Sequence, residues 1–120
     1  MIEKVNLSEK FARFAEHWSP KIAGEVNDSL VKLVKFRGDF VWHRHETEDE
    51  MFLVVRGSIT IRLRDGDIEL GEGEFVIIPR GVEHKPYAKE EAHVLLFEPK
   101  TVLNTGDVVN ERTRPVLERI

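Results

Sequence analysis

The chain contains no cysteine among its 120 residues. This absence excludes disulfide bonds, iron–sulfur clusters, cysteine nucleophiles and thiolate zinc sites, and it leaves histidine and carboxylate as the available metal ligands. Basic residues are not in excess, because the formal net charge is -4 at pH 7. We therefore expect no nucleic-acid partner and no attraction to an anionic membrane. No apolar run reaches the length that spans a bilayer.

The remaining composition is typical of a globular protein, with 41% hydrophobic and 33% charged residues. A chain of this size can bury a core of its own, and one domain over residues 1–120 is the natural expectation. The N-terminus has no apolar segment of the kind found in secretory signal peptides. The sequence therefore predicts a single cytoplasmic domain.

One helix is predicted near the start of the chain, over about residues 7–18. Phe11, Phe14 and Trp18 recur at helical spacing, and Pro20 closes the segment. We interpret this aromatic stripe as core packing.

Short strands separated by Gly, Pro and Asp turns follow from about residue 22 to residue 98, and this region is the predicted barrel core. Such spacing is typical of a barrel or a sandwich. The polar tail, residues 99–120, would wrap either the barrel or a partner. The predicted strands are 30–36, 51–55, 58–64, 67–70, 75–78 and 93–97.

Three of these segments are apolar on both faces, namely 51–55, 75–78 and 94–97. A lone small barrel would leave one face of each strand wet and polar. Burial of both faces implies a second sheet or another subunit on the outside. We therefore expect a homodimer.

Four side chains have the types and the spacing of a metal site. His43 and His45 stand two residues apart in a β-patterned segment, so that both point to one face. Glu50 opens the next apolar strand after a connection of hairpin length. His84 follows the turn Pro79-Arg80-Gly81. Three imidazoles and one carboxylate on one sheet face would bind a divalent transition metal.

This pattern resembles the two signature motifs of the cupin superfamily. The resemblance covers about residues 31–97 and is to the small single-domain microbial cupins with an RmlC-like jelly roll, a group often labelled as similar to mannose-6-phosphate isomerase. One residue fewer than usual separates Gly38 from His43, and Ala88 replaces an asparagine that often closes the second motif. The matching positions are Gly38, His43, His45, Glu50 and Gly57, then Gly73, Pro79, Gly81 and His84.

The resemblance implies an all-β double-stranded β-helix, or jelly-roll cupin barrel, with a short N-terminal helix. It also implies one metal ion inside the barrel, bound by His43, His45, Glu50 and His84. Four protein ligands in an octahedral arrangement would leave two positions for water, substrate or dioxygen. Iron, manganese, nickel, cobalt and zinc are all admissible, because imidazole and carboxylate discriminate poorly among them.

The favoured function is a metal-dependent enzyme that acts on a small organic molecule by oxygenase-, isomerase- or lyase-type chemistry. A non-catalytic sensor or storage protein for a small ligand is the alternative. A purely structural metal is disfavoured because structural zinc sites are rich in thiolate. The sugar-phosphate isomerase label is also disfavoured, since no phosphate-binding motif is present.

Few other residues qualify for a role in such a site. Tyr87 is the only tyrosine and lies three residues after His84, which makes it the candidate polar group beside a substrate. Phe52 and Phe97 are, with Tyr87, candidates for the pocket wall. His17 and His93 have no spacing that connects them to the cluster. We interpret these last two histidines as lying outside the site.

Overall fold

The computed structural model describes residues 2–120, which form seven strands and one short helix. Within these residues no helix is long and apolar enough to cross a membrane. The elements are α1 (Leu7–Phe11), β1 (Lys21–Val26), β2 (Ser29–Asp39), β3 (Glu50–Arg56), β4 (Ile59–Leu63), β5 (Gly66–Leu70), β6 (Phe75–Ile78) and β7 (Lys85–Pro99).

All strands belong to one rolled sheet in the order β1-β2-β7-β3-β6, with β4 attached to β7 and β5 to β4. The 15-residue strand β7 makes the sheet roll. Along one edge it pairs with β2, while its other edge pairs first with β4 and then with β3. Within residues 2–120, β1, β5 and β6 each have one strand neighbour, so the roll is open at these edges. The predicted all-β jelly-roll architecture is confirmed.

The interior of the roll follows from the two-residue alternation of side chains along each strand. In β7, residues 92, 94, 96 and 98 are buried and the residues between them are not. Burial of each large apolar side chain contributes about 1.5–3 kcal/mol relative to exposure. The buried interior residues include Val34, Phe36, Phe40, Phe52, Val54, Ile59, Ile61, Leu70, Ile78, Val94 and Leu96.

A second, smaller apolar cluster covers the outer face of β2 and β7. Phe11 and Phe14 pack there against Leu33, and the partly buried Val55 and Leu95 join them. The N-terminal segment, and not the expected second sheet or another subunit, therefore covers these apolar side chains of β3 and β7.

The predicted helix over residues 7–18 is wrong in its extent, because α1 ends at Phe11. The chain then turns, and the backbone N–H of Trp18 donates to the carbonyl of Lys35 at 2.8 Å. Trp18 has a φ of 60°, which is incompatible with a right-handed helix. Core packing of the aromatic stripe is confirmed, but Phe11 and Phe14 enter the outer cluster, whereas Trp18 enters the interior.

The outer face of β6 stays uncovered within this chain. Phe75 is 58% exposed and Ile77 is 54% exposed, while Ile78 points into the core. The two-sided apolar pattern of this strand has therefore no second layer from residues 2–120.

The tail wraps this chain's own barrel. The N–H of Ile22 donates to the carbonyl of Glu118 at 2.9 Å, and the N–H of Ile120 donates to the carbonyl of Ile22 at 3.0 Å. Earlier in the tail, Asp107 and Arg44 form two hydrogen bonds. The N–H of Asp107 donates to the carbonyl of Arg44 at 3.0 Å, and the N–H of Arg44 donates to Oδ1 of Asp107 at 2.9 Å. The tail is thereby joined to the segment that carries His43 and His45.

Substitution Gly106→Ala is expected to destabilise the fold more than Gly38→Ala. Both glycines have a positive φ, 57° and 74°, a conformation that costs a residue with a Cβ about 1–2 kcal/mol. At Gly106 a Cβ would also collide with the carbonyl oxygen of Arg44, whereas at Gly38 it would meet open space. Denaturant unfolding of both variants measures the difference. An equal or smaller loss for Gly106→Ala would contradict the close packing of the tail.

Candidate metal centre

Backbone pairing brings the two histidine segments together. His43 N–H donates to the His84 carbonyl at 3.1 Å, and His84 N–H donates to the His43 carbonyl at 2.9 Å. The N–H of Gly81 donates to the carbonyl of His45 at 2.8 Å. These bonds connect the segment between β2 and β3 to the turn before β7, and Glu50 enters from the first position of β3.

The four predicted ligands form one compact, buried group. The candidate ligand atoms of His43, His45, Glu50 and His84 all lie within 4.8 Å of one another, and all four residues are buried. The imidazole centroids of His43 and His84 are 4.3 Å apart, and those of His43 and His45 are 5.1 Å apart. Ligand atoms at such separations can surround a single ion at coordination distance.

Backbone carbonyls define the protonated ring nitrogen in two of the three histidines. Nδ1 of His43 lies 2.9 Å from the carbonyl of Val41, and Nδ1 of His84 lies 2.9 Å from the carbonyl of Val82. A carbonyl oxygen only accepts, so Nδ1 carries the hydrogen in both rings. When such a ring is neutral, its Nε2 carries a lone pair, and a nitrogen with a free lone pair can bind a metal.

The Nε2 atoms of two of the histidines face a carboxylate, and this arrangement fits a cation. Nε2 of His84 lies 3.2 Å and Nε2 of His45 lies 3.3 Å from Oε1 of Glu50. A neutral His84 that donates from Nδ1 has no proton for this contact. Nε2 of His45 is buried and has no hydrogen-bond partner among residues 2–120. A divalent ion between the nitrogens and the oxygen would satisfy all of these atoms.

Burial keeps His43 neutral. Desolvation, followed by the nearby His84, lowers the pKa of His43 to about 4. The ring is therefore uncharged at pH 7 and needs no deprotonation before it binds a metal.

Glu50 has a second buried carboxyl group beside it. The pairing of Met51 with Phe97 makes Glu98 the cross-strand neighbour of Glu50, and Lys32 Nζ lies 2.8 Å from Glu98 Oε1. Burial alone would raise the pKa of Glu50, but the combined interactions with Glu98, His45 and His84 outweigh burial, and the pKa lies well below its usual range. Burial and the charge of Glu50 raise the pKa of Glu98 well above its usual range.

Neither Lys32 nor Glu98 was identified from the sequence as part of the site. A signal was present, because Lys32 occupies the same face of its strand as Leu30, Val34 and Phe36. A lysine on an otherwise apolar interior face requires a buried partner.

A cavity adjoins the ligands on one side. His43 and Glu50 form its polar end, and the other lining residues are predominantly aromatic and aliphatic. Of the three predicted wall residues, only Phe52 lines it. The aromatic residues Trp18, Phe36 and Phe40 also line it, although the sequence alone did not identify them as residues of the pocket wall.

The structure does not bring the other candidates to the site. The guanidinium of Arg62 lies 4.7 Å from the ring centroid of Tyr87, which is on the opposite face of β7 from the cavity-lining Pro86. Phe97 likewise lies on the opposite face of β7 from Leu96, which lines the cavity. Tyr87 therefore has no part in the function that we propose.

The two remaining histidines also lie elsewhere. Nε2 of His17 is 2.8 Å from Glu91, and the ring of His93 stacks on Phe11 with centroids 4.5 Å apart. Their interpretation as residues outside the cluster agrees with these positions.

Several known proteins are similar to this chain in sequence or in fold. Protein YdbB of Bacillus subtilis (strain 168) is 34% identical over 80 residues, which span 66% of this chain and 65% of the relative, just under two thirds of its length. A cupin-2 domain containing protein from Shewanella frigidimarina has a solved structure with 49% identity and a TM-score of 0.79, over 80% of this chain and 94% of that one.

Protein NMB1881 from Neisseria meningitidis is 30% identical, with a TM-score of 0.75 over 82% of this chain and all of its own. The profile of the Cupin_2 family, which describes a cupin domain, matches residues 30–99. That segment runs from β2 to the end of β7 and includes all four candidate ligands. The chain belongs to the cupin family.

Proposed function

We propose that this protein binds one divalent transition metal through His43, His45, Glu50 and His84 and uses it as an enzyme on a small organic molecule. One observation carries the proposal: Nε2 of buried His45 and Nε2 of buried His84 converge on one oxygen of buried Glu50, the first without a hydrogen-bond partner among residues 2–120 and the second with its ring hydrogen on Nδ1. Iron, manganese, nickel, cobalt and zinc all accept this ligand set.

The protein's part in the chemistry follows from the surroundings of the ligands. A metal bound there would supply Lewis acidity and coordination positions for an exchangeable ligand. His43 and Glu50 also line the cavity, so a molecule in the cavity would reach the metal directly. The apolar walls would exclude bulk water from the reacting groups, which strengthens electrostatic interactions there.

A non-catalytic binding protein for a small ligand is the second candidate. The cavity beside the ligands supports both functions, because a sensor needs the same access to the metal. Enzyme and binder differ only in whether the bound molecule is converted. A turnover screen on the metal-loaded protein therefore separates them, with oxygen consumption as one readout and the His84→Ala protein as the inactive control.

Wild-type protein purified without added metal or chelator is expected to contain close to one metal ion per chain. The double variant His43→Ala/His45→Ala is expected to lose it, because two of four ligands are removed. Elemental analysis measures both. The variant His17→Ala serves as the control, since its ring lies on Glu91 outside the cluster, and it should retain the metal.

Negligible metal in the wild type and in the double variant alike would contradict the proposal, if it persisted after anaerobic addition of Fe(II), Mn(II), Ni(II) and Zn(II). Equal loss in His17→Ala would do so as well, because it would assign the metal to a different place.

We further propose that the protein is a homodimer in which the outer face of β6 is covered by a second copy. The proposal is supported by the exposure of Phe75 and Ile77, which sit on a strand whose other face is already core. Exposed apolar side chains grouped on one sheet face commonly mark a protein interface.

The mass in solution is expected to be twice the chain mass of 13.9 kDa. Substitution Phe75→Lys/Ile77→Glu should produce a monomer, because charged groups would be buried without partners at the interface. Sedimentation equilibrium gives both masses. The control is Val26→Lys, at a valine of similar exposure, 53%, on β1. A monomeric wild type would contradict the proposal.

A further inference from the structure

The cavity beside the metal ligands has aromatic walls. Trp18, Phe36, Phe40 and Phe52 line it, and the indole of Trp18 stacks on Phe36 and Phe40 with centroids 4.3 and 4.8 Å apart. The empty space, part of which opens to solvent, amounts to about 340 Å³. We call this space the slot. Aromatic walls favour a ligand that has an aromatic ring of its own.

The polar side chains that line the slot away from the ligands, Trp18 and Asn104, already have hydrogen-bond partners. The indole N–H of Trp18 donates to the carbonyl of Arg37 at 2.8 Å. Asn104 also lines the slot, but its Nδ2 donates to the carbonyl of Arg112 at 2.9 Å and its Oδ1 accepts from the N–H of Arg114 at 2.8 Å. No lysine or arginine is among the lining residues. Polar recognition is therefore confined to the end formed by His43 and Glu50.

We propose that the slot binds a flat aromatic molecule that carries a single carboxylate or phenolic oxygen. The oxygen points to the metal at His43 and Glu50, and the ring lies against the aromatic side chains. This inference rests on the proposed function, because the metal is the partner of that oxygen. Sugars and sugar phosphates do not fit, since their hydroxyl and phosphate groups would be buried without partners.

Fluorescence of Trp18 tests the slot directly. The chain has two tryptophans, so Trp42→Phe leaves Trp18 as the sole reporter. We would titrate this protein with benzoate and with cyclohexanecarboxylate, which has the same charge but a puckered ring. Both titrations are done with Zn(II) bound and again after metal removal, and mannose 6-phosphate is tested as a competitor.

Benzoate is expected to change the Trp18 emission and to bind about tenfold more tightly than cyclohexanecarboxylate, because only a flat ring stacks on aromatic side chains. The preference should persist without metal, at lower affinity for both acids. Phe36→Leu should reduce the preference while metal content stays unchanged. Equal affinity for the two acids, or displacement of benzoate by mannose 6-phosphate, would overturn the inference. A failure of the proposed function would show separately, as absence of metal with the ring preference retained.

A different observation concerns the ion pair behind Glu50. The side chains of Lys32 and Glu98 are each 1% exposed, and their Nζ and Oε1 atoms are 2.8 Å apart. Oε2 of Glu98 has no hydrogen-bond donor among residues 2–120, and the register of β3 and β7 makes Glu50 the cross-strand neighbour of Glu98. A buried ion pair adds little stability compared with apolar side chains of the same volume. Stability alone therefore does not account for this pair.

We infer that Lys32 and Glu98 are positioning residues for Glu50. Lys32 holds Glu98 in place, and Glu98 restrains the carboxyl group of Glu50 so that its Oε1 faces His45 and His84. Outer partners of this kind orient metal ligands, and their loss typically weakens metal binding by about 10- to 100-fold. This inference also rests on the proposed metal site.

The test replaces the pair by apolar residues, Lys32→Met/Glu98→Leu, so that no unpaired charge remains. Lys35→Met is the matched control, because Lys35 is also buried but donates to the carbonyl of Phe14, away from the metal ligands. Competition with a chelator measures Zn(II) affinity, the Co(II) absorption spectrum reports ligand geometry, and thermal unfolding reports the fold.

The double variant is expected to bind Zn(II) about 10- to 100-fold more weakly than the wild type, with an altered Co(II) spectrum and a retained fold. Lys35→Met should bind as the wild type does. An unchanged affinity and spectrum in the double variant would overturn the inference while leaving the metal site intact. Absence of metal in the wild type would overturn both. If the double variant did not fold, Glu98→Gln would replace it, with the same expected direction.

Discussion

The structure depends on one electrostatic constraint: three imidazoles and a carboxylate meet inside an apolar barrel, and the ring hydrogens of two imidazoles point to backbone carbonyls. The carbonyls of Val41 and Val82 place the hydrogens of His43 and His84 on Nδ1, so a neutral His84 has no hydrogen on the Nε2 that lies 3.2 Å from Glu50. Repulsion between lone pairs in a medium of low dielectric is costly. The metal ion that we propose would remove this repulsion.

The ionisable side chains and the aromatic side chains occupy different parts of the barrel interior. The ionisable groups gather at one end, where Lys32 and Glu98 lie behind Glu50. The opposite side of the ligands is an aromatic space in which the remaining polar groups are already paired. This division leaves polar side chains for recognition at the end formed by His43 and Glu50 and apolar side chains along the rest of the cavity. Outside the barrel, the N-terminal segment and the tail cover part of the surface, and β6 stays open.

Much of this could be predicted because strand alternation is local. His43 and His45 share a face by spacing alone, and the strand at residues 75–78 was predicted with the bounds the structure gives. The helix was overextended because Phe11, Phe14 and Trp18 fit a helical period although tertiary contacts send Trp18 to a different core. Tyr87 was chosen for its nearness to His84 in sequence, but side chains three residues apart on a strand point to opposite faces. Pairings across the barrel, such as Lys32 with Glu98, have no local signal.

The most direct test of the central claim is anomalous X-ray diffraction from crystals of the Co(II)-loaded protein. The account predicts one strong peak at about 2.0–2.2 Å from Nε2 of His43, His45 and His84 and from an oxygen of Glu50. A peak at any other place would contradict it. So would no peak at all, with the three Nε2 atoms and Glu50 hydrogen-bonded to water, because the convergence of lone pairs would then need no cation.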